Sequence, residues 1–285
     1  MTRDPAFAPV LVFGASSQIG YCLLPLLAGE GARVIAVSRS SQRDDRNVRW
    51  LRGNLPDGLT GDFADVEAVA CFAPLDALAA WLARTALPSL KRVVATSSMS
   101  AESKRESPVA AERVLAQRLR DGEEALARAC ESRGVAWTIL RPTLIYGVGR
   151  DKSLTPLARR AARSRVFVLP SGRGLRQPVH ARDVASAVQA ALRTPEADGR
   201  IIPMGGGERL RAREMFARVR ASLPVRTVPV PVPAPLIRAC ARLLSPLRGP
   251  LTRLDDDLVA DNSDLGRLLA VQPRDFAPDP TSWDP

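Results

Sequence analysis

The stretch Val10–Gly20 near the N-terminus constrains the fold more than any other part of the chain. Residues 10–13 are a short apolar, β-branched run, which is typical of a buried strand. The run stops at Gly14, and from Ile19 onward apolar residues recur at helical spacing. A strand, a glycine-containing turn and a helix N-terminus form a cradle whose free N–H groups and helix dipole favour a phosphate. The pattern predicts a dinucleotide-binding turn, with an ordinary strand–helix turn as the alternative.

The glycines of this turn have separate tasks. Gly14 supplies the tight turn, and Gly20 allows the helix to approach the sheet closely. Ser17 stands where a third, middle glycine is usual, so the motif is incomplete. We predict that this turn contacts a bound dinucleotide through Gly14, Ser16, Ser17, Gln18, Ile19 and Gly20.

Apolar strands alternate with helical patterns through the first half of the chain. The patterns predict strands at 33–37, 48–51, 66–72, 92–96 and 135–140, and helices at 75–87 and 109–133. Continuous apolar strands separated by helices are typical of an α/β fold, a parallel sheet covered on both faces. Right-handed crossovers bring the carboxyl ends of such strands to one edge, where ligands bind.

The chain changes character after Arg141. Basic helix 153–165, helices 183–192, 212–223, 236–247 and 263–270, and strands 166–169 and 200–204 are predicted. We expect residues 1–148, with 178–204 returning to them, to form the dinucleotide-binding core, and 149–177 with 205–285 to form a smaller α/β substrate lobe. The Leu-rich stretch 228–247 is interpreted as core of that lobe, with peripheral membrane docking as the alternative.

Composition excludes several classes of protein. No apolar run approaches the roughly 20 residues of a membrane span, and the N-terminus lacks the plan of a signal peptide. The four cysteines are far apart, which argues against a zinc site or a disulfide framework and favours the cytoplasm. Aromatic residues make up 5% of the chain, so nucleic acid is a poor candidate partner. A monomer or homodimer is expected.

Charge points to an anionic small-molecule ligand. The net charge is +11, and residues 141–182 contain ten basic residues and one acid, Asp151. The second predicted strand closes on Ser38 and Arg39, with Arg43 nearby. A carboxylate at this position binds the ribose of NAD, whereas a neutral residue followed by Arg accommodates the 2′-phosphate of NADP. We therefore predict NADP rather than NAD, with a solvated arginine as the alternative.

Several motifs in fixed order carry a resemblance to a known family. They are residues 14–20 (GASSQIG), 92–98 (RVVATSS), 137–147 (WTILRPTLIYG), 176–185 (RQPVHARDVA), 261–263 (DNS) and 273–276 (PRDF). Together they span nearly the whole length. The chain resembles the extended or atypical short-chain dehydrogenase/reductases, the NAD-dependent epimerase/dehydratase family. The resemblance implies a Rossmann-type doubly wound sheet with a small C-terminal substrate lobe.

The resemblance also implies roles for individual residues. Ser98 matches the catalytic Ser/Thr that hydrogen-bonds the reacting oxygen, with a strand-ending serine that only contacts the nicotinamide side as the alternative. His180, the only histidine, matches a structural position that closes a strand before a helix, with a general base as the alternative. Arg176 and Arg253 match arginines that hold the pyrophosphate of a nucleotide-linked substrate, with two solvated arginines as the alternative. Further cofactor contacts are expected, by this resemblance and by their place at strand ends, at Asn54, Phe72, Ala73, Pro74, Thr96, Ser97, Pro142, Thr143, Leu144 and Ile145.

One departure from the family concerns its catalytic pair. The family carries Tyr-x-x-x-Lys on the long helix, with Glu four residues later. Counting back from Trp137 places that Glu at Glu124, the Lys at Arg120 and the Tyr at Ala116. Arg120 is retained as a candidate catalytic residue that contacts the nicotinamide ribose. It stays protonated and cannot shuttle a proton, and losing a general acid costs about 10²–10⁴ in rate.

Two hypotheses for function follow. The first is an NADP-dependent oxidoreductase or epimerase-like enzyme that acts on an anionic, nucleotide-linked substrate with a non-standard proton donor. The second is a non-catalytic NADP(H)-binding protein, either a redox sensor or an assembly or regulatory partner. The arginine-rich lobe favours the first hypothesis, and the missing tyrosine favours the second.

Overall fold

A computed structural model describes residues 9–170, 172–232 and 254–284. Seven strands form one parallel sheet in the order β3–β2–β1–β4–β5–β6–β11. They are β1 (Val10–Phe13), β2 (Val34–Ser38), β3 (Val48–Arg52), β4 (Ala68–Cys71), β5 (Arg92–Thr96), β6 (Ala136–Pro142) and β11 (Arg200–Met204). The strand order reverses between β1 and β4, the place where doubly wound sheets bind ligands.

Helices cover both faces of this sheet. On one face α1 (Gln18–Gly29) packs against α6 (Ala181–Ala191), and on the other α2 (Leu75–Leu82) packs against α4 (Ala110–Glu131). Each pair encloses its own hydrophobic cluster, with Leu23 and Val184 in the first and Leu78 and Leu126 in the second. This arrangement confirms the predicted Rossmann-type α/β fold.

A third hydrophobic cluster forms beside the carboxyl edge of the sheet. It gathers Tyr146, Phe167, Met215, Phe276 and Trp283, all at most 2% exposed. The elements around it are β7 (Ile145–Tyr146), α5 (Leu154–Ser164), β8 (Val166–Pro170), β9 (Leu175–Arg176), β10 (Val179–His180), β12 (Leu210–Arg211), α7 (Ala212–Ala221) and β13 (Val228–Val232). Helix α8 (Ser263–Leu269) packs instead against β11 and α6, where Leu265 and Leu269 join the first cluster. This third cluster forms a wall opposite the carboxyl edge of the sheet.

Several predicted bounds differ from the structure. Helix α2 ends at Leu82 rather than at 87, because the following residues turn to bury Leu87 and Leu90 and Pro88 interrupts the helix. Strand β4 begins at Ala68 rather than 66, since Val66 closes a turn by donating to Phe63 O. A short helix, α3 (Ser100–Ser103), was not predicted.

The predicted helix 236–247 and Arg253 lie outside the described residues. In the part of the chain that the structure describes, no helix combines the length and apolar character needed to cross a membrane.

Candidate active site

A cleft of about 1570 Å³ runs along the carboxyl edge of the sheet, between the ends of strands β1–β6 and the third hydrophobic cluster. Most residues predicted to contact cofactor or substrate line it. They are Gly14, Ser16, Ser17, Gln18, Ser38, Arg39, Asn54, Phe72, Ala73, Pro74, Ser97, Ser98, Pro142, Thr143, Leu144, Ile145 and Arg176. The other predicted residues among those described, Ile19, Gly20, Thr96 and Arg120, do not line it.

The turn after β1 has the geometry of a nucleotide-binding turn. Gly14 has φ +70°, a conformation that favours glycine. A Cβ on Gly20 would stand 2.4 Å from Ala15 O, so α1 and the turn touch backbone to backbone. Ser17 is the N-cap of α1, and its hydroxyl accepts a hydrogen bond from Gly20 N at 3.2 Å. The serine at the middle-glycine position thus satisfies one free N–H of the helix.

Ile19 and Gly20 therefore act from behind the cleft. Ile19 is 5% exposed and packs in the core under α1, while Gly20 sets the distance between α1 and the turn. Their direct contact with a cofactor stays a prediction.

The end of β2 bears on the choice of cofactor. Ser38 is buried, and its hydroxyl lies 3.3 Å from that of Ser16. Arg39 is exposed and lines the cleft. The carboxylates among the described lining residues are Glu112, Asp256 and Asp257, none of which comes from β2.

The loop after β5 is held against β6. Ser97 N donates to Leu140 O at 2.8 Å, and Met99 N donates to Pro142 O at 2.9 Å. Ser98 Oγ accepts from Ser100 N at 3.1 Å. This use of a lone pair leaves the hydroxyl hydrogen of Ser98 available to a ligand, as the predicted role requires.

Two buried polar atoms of cleft residues have no partner among the described residues. They are Gln18 Oε1, beside the turn after β1, and Ser97 Oγ, after β5. Buried polar atoms are normally hydrogen-bonded, and an orphan calls for an explanation such as a ligand. Because both atoms lie where a dinucleotide binds in this fold, the residues present fit such a cofactor.

Sequence reasoning missed two charged residues of the cleft, Lys104 and Glu112. Lys104 follows α3 and Glu112 lies in the first turn of α4, with 3.5 Å between Nζ and Oε1. Ser107 Oγ donates to the other carboxylate oxygen, Oε2, at 2.6 Å. The position of this ion pair depends on α3 and on the turn that follows it. No periodic pattern in the sequence predicts either of them.

The structure places Arg120 elsewhere than expected. Its guanidinium donates to Ala101 O at 2.7 Å and to Gln117 Oε1 at 2.6 Å, and it does not line the cleft. Ala116 is fully buried. The physical reason is the orientation of α4 about its own axis, which brings Glu112 rather than Arg120 to the cleft.

Both tyrosines of the chain lie away from the cleft. Tyr146 is 1% exposed and packs edge-on against Phe276 and His180. Burial raises the pKa of Tyr146 to about 12. Tyr21 lies on the outer side of α1, and neither phenol lines the cleft.

His180 ends β10 and caps α6. Its Nδ1 accepts a hydrogen bond from Arg182 N at 3.1 Å. Burial lowers the pKa of this histidine below its usual 6.5. A neutral, capping imidazole is what the predicted structural position implies.

The far end of the cleft holds Arg176 on β9. Arg176 is 8% exposed, and its guanidinium donates to Leu175 O at 2.8 Å and to Asp256 O at 2.5 Å. Lys152 also lines the cleft, and the sequence prediction did not single it out. Lys152 belongs to the basic run after Arg141, which is the sequence signal that indicates it.

The fold and cleft define an α/β protein with a Rossmann-type doubly wound sheet and a cleft along its carboxyl edge. Residues 78–205 match the model of the NAD dependent epimerase/dehydratase family, which confirms the resemblance drawn from the motifs. A search of curated proteins found no match to the sequence.

Solved structures share the fold at low sequence identity. UDP-glucuronic acid 4-epimerase from Bacillus cereus, in complex with NAD, superposes with a TM-score of 0.73 at 15% identity over 97% of each chain. MoeE5, in complex with UDP-glucuronic acid and NAD, has a TM-score of 0.71 at 19% identity over 93% of this chain and 94% of its own. The terminal R domain of the myxalamid PKS-NRPS pathway has a TM-score of 0.70 at 19% identity over 99% and 90%.

Proposed function

We propose that this protein is an NADP(H)-dependent oxidoreductase or epimerase-like enzyme acting on an anionic, nucleotide-linked substrate. The observation that carries the proposal is one continuous cleft, from the turn after β1 and Arg39 at one end to Ser98, Lys104 and Arg176 at the other. Its volume of about 1570 Å³ exceeds the roughly 300–1,000 Å³ of a single-ligand pocket. It has room for a dinucleotide and a second ligand.

Arg39 and Ser38 support NADP as the cofactor. Arg39 offers a guanidinium to a 2′-phosphate, and the described end of β2 presents no carboxylate that would repel one. The NAD-bound structures that share the fold keep NAD as the competing cofactor. Measured affinities of the protein for NADP and NAD decide between the two cofactors.

Three side chains of the cleft are proposed to handle the substrate oxygen and its proton. When bound, the cofactor would supply or accept a hydride at a substrate carbon. Ser98 would hydrogen-bond the reacting oxygen, and the Lys104 ammonium would stabilise negative charge there and transfer a proton to it. Glu112, at 3.5 Å from Lys104, orients that ammonium, and Ser107 in turn orients Glu112.

The substrate end supports an anionic ligand with an apolar portion. Lys152 and Arg176 supply positive charge, and Met215 and Phe216 from α7 supply apolar surface. Asp256 and Asp257 share this end and would exclude ligands whose negative charge falls on their side of the cleft. Nucleoside diphosphate sugars combine these properties, as do the UDP-sugars in MoeE5 and the Bacillus cereus epimerase.

The test is NADPH oxidation, and sugar-nucleotide isomerisation, measured against a panel of nucleoside diphosphate sugars and carbonyl compounds. With an active substrate, Ser98→Ala and Lys104→Met should each lower kcat by about 100-fold. Lys91→Met is the matched control, because Lys91 is exposed, pairs with Glu67 and lies away from the cleft. Full activity in the Lys104→Met and Ser98→Ala proteins would refute the assigned roles.

A second candidate is a non-catalytic NADP(H)-binding sensor or regulatory partner. The observation that favours it is the exclusion of both tyrosines from the cleft. For this candidate the wild type binds NADPH without turnover on any member of the panel. Ser98→Ala then changes only the affinity for the cofactor.

A further inference from the structure

Arg150 reaches from the loop between β7 and α5 to the nucleotide-binding turn. Its Nη1 lies 3.4 Å from the carbonyl oxygen of Ser16, a residue 134 positions earlier in the chain. Its Cζ lies 4.6 Å from the centroid of the Tyr21 ring, in the first turn of α1. The guanidinium therefore lies across the start of α1, and Arg150 lines the cleft.

The backbone around Arg150 is fixed from both sides. Before it, Gly149 N donates to Ser282 O at 3.0 Å, and Gly149 O accepts from Arg159 Nη2 at 3.1 Å. After it, the Asp151 carboxylate accepts from Leu154 N at 2.6 Å at the start of α5. Arg150 thus projects from an anchored loop and not from a free surface segment.

Strain in the same loop marks it as a constrained element. Val148 has φ +55°, a left-handed conformation that a β-branched residue rarely adopts. Such residues persist only where the surroundings over-determine them, and they cluster at ligand sites.

The charge of Arg150 lacks an acidic partner. No carboxylate of the described residues pairs with it, and its one hydrogen bond, to Ser16 O, is long. The Tyr21 ring holds the guanidinium in place without neutralising it, since cation–π contact leaves the N–H edge open. A fork of donors stands beside the N-terminal N–H groups of α1, and both favour the same ligand, a phosphate.

We infer that Arg150 binds the pyrophosphate of the dinucleotide and so ties the segment carrying α5 to the nucleotide-binding turn. This inference rests on the proposed function, because it takes a dinucleotide as the ligand of the cleft. It adds a contact that the strand–turn–helix motif lacks, supplied from outside the first 148 residues. Arg39 and Arg150 then divide the phosphates: Arg39 takes the 2′-phosphate, and Arg150 takes the bridging pair.

Titration calorimetry with four ligands tests this division of labour. NADP⁺, NAD⁺ and ADP-ribose all contain the pyrophosphate, whereas AMP does not. Arg150→Ala should raise Kd by about 10-fold for the first three ligands, the loss of one charge-assisted contact, and leave AMP unchanged. The dependence of NAD⁺ affinity on salt concentration should also become shallower.

Arg160→Ala is the matched control, since Arg160 is exposed on α5 beyond the loop. Arg150 is itself exposed, and equal melting temperatures of the variants would verify their folding. Unchanged affinity of Arg150→Ala for NAD⁺ and ADP-ribose, or a loss confined to NADP⁺, would overturn the inference. If the wild type binds none of the four ligands, the proposed function itself fails.

Discussion

Glu123 on α4 and Arg141 on β6 form a buried, two-armed ion pair. Arg141 Nε donates to Glu123 Oε1 at 2.9 Å, and Nη2 donates to Oε2 at 2.5 Å. The Glu123 side chain is 1% exposed. The neighbouring Glu124 is exposed and pairs with Arg128 one turn along the helix. The pair therefore fixes which face of α4 meets the sheet.

The buried Glu123 gives a second register for the helix positions that carry Tyr and Lys in the family. Counting from Glu123 instead of Glu124 moves the Lys position to Leu119 and the Tyr position to Leu115. Leu115 and Leu119 carry no ionisable group, so in either register the family's proton relay is lacking. Lys104 and Glu112 are the ionisable residues that α4 and the turn before it bring to the cleft.

Glu123→Ala should destabilise the protein strongly. It leaves a mostly buried guanidinium with only Glu102, at 2.7 Å, as a partner. Breaking a buried pair on one side costs about 3 kcal/mol or more. Glu124→Ala, the adjacent exposed control, should change the free energy of unfolding by at most about 0.5 kcal/mol. Urea denaturation measures both, and equal costs would contradict the burial of Glu123.

Gly20→Ala should weaken dinucleotide binding and lower stability. A Cβ at Gly20 would stand 2.4 Å from Ala15 O, so α1 must shift away from the turn. Gly29→Ala on the same helix is the control, because a Cβ there meets nothing within 4 Å. Ser17→Gly should be tolerated, with a loss of about 0.3 kcal/mol for the missing cap. Fluorescence titration and thermal melts compare the three variants. Normal NADPH binding by Gly20→Ala would refute the placement of the cradle.

The fold was largely predictable because its signals are local and periodic. Strands β5 and β11 were predicted to the residue, since apolar runs bounded by turn residues admit one interpretation. The turn between β1 and α1 was predicted in the same way, from the positions of Gly14 and Gly20.

The catalytic end was less predictable, because it depends on contacts between distant segments. Glu123 and Glu124 are adjacent and alike, and only packing decides which is buried. Lys104 and Arg150 lie in irregular loops, and no period in the sequence states where such side chains point. Their positions come from α3 and from the anchors at Gly149 and Asp151.

Arg39→Ala should reduce the preference for NADP. One charge-assisted contact to a phosphate is worth roughly 1.5–3 kcal/mol, so Kd for NADP should rise about 10- to 100-fold while that for NAD stays nearly constant. Arg43→Ala is the control, since Arg43 is exposed and does not line the cleft. Calorimetry with both cofactors decides the matter. Equal losses for NAD and NADP would assign Arg39 a different contact.

Acid should destabilise the protein through His180. Burial holds the pKa of His180 below 6.5 in the folded state. Between that lowered pKa and 6.5 the unfolded state binds more protons, so stability falls as pH drops through this window. Protonation also removes the Nδ1 lone pair that caps α6. His180→Asn keeps a capping acceptor and removes the titration. Denaturant midpoints from about pH 7 to about pH 5 should fall in the wild type and stay level in the variant, and parallel falls would exclude His180 as the cause.

Titration of the wild-type protein with NADPH and NADH shows whether the cleft binds a dinucleotide. We expect saturable one-site binding that is tighter for NADPH and that Gly20→Ala abolishes or greatly weakens. Absence of saturable binding for both dinucleotides, in a protein shown to be folded, would contradict it.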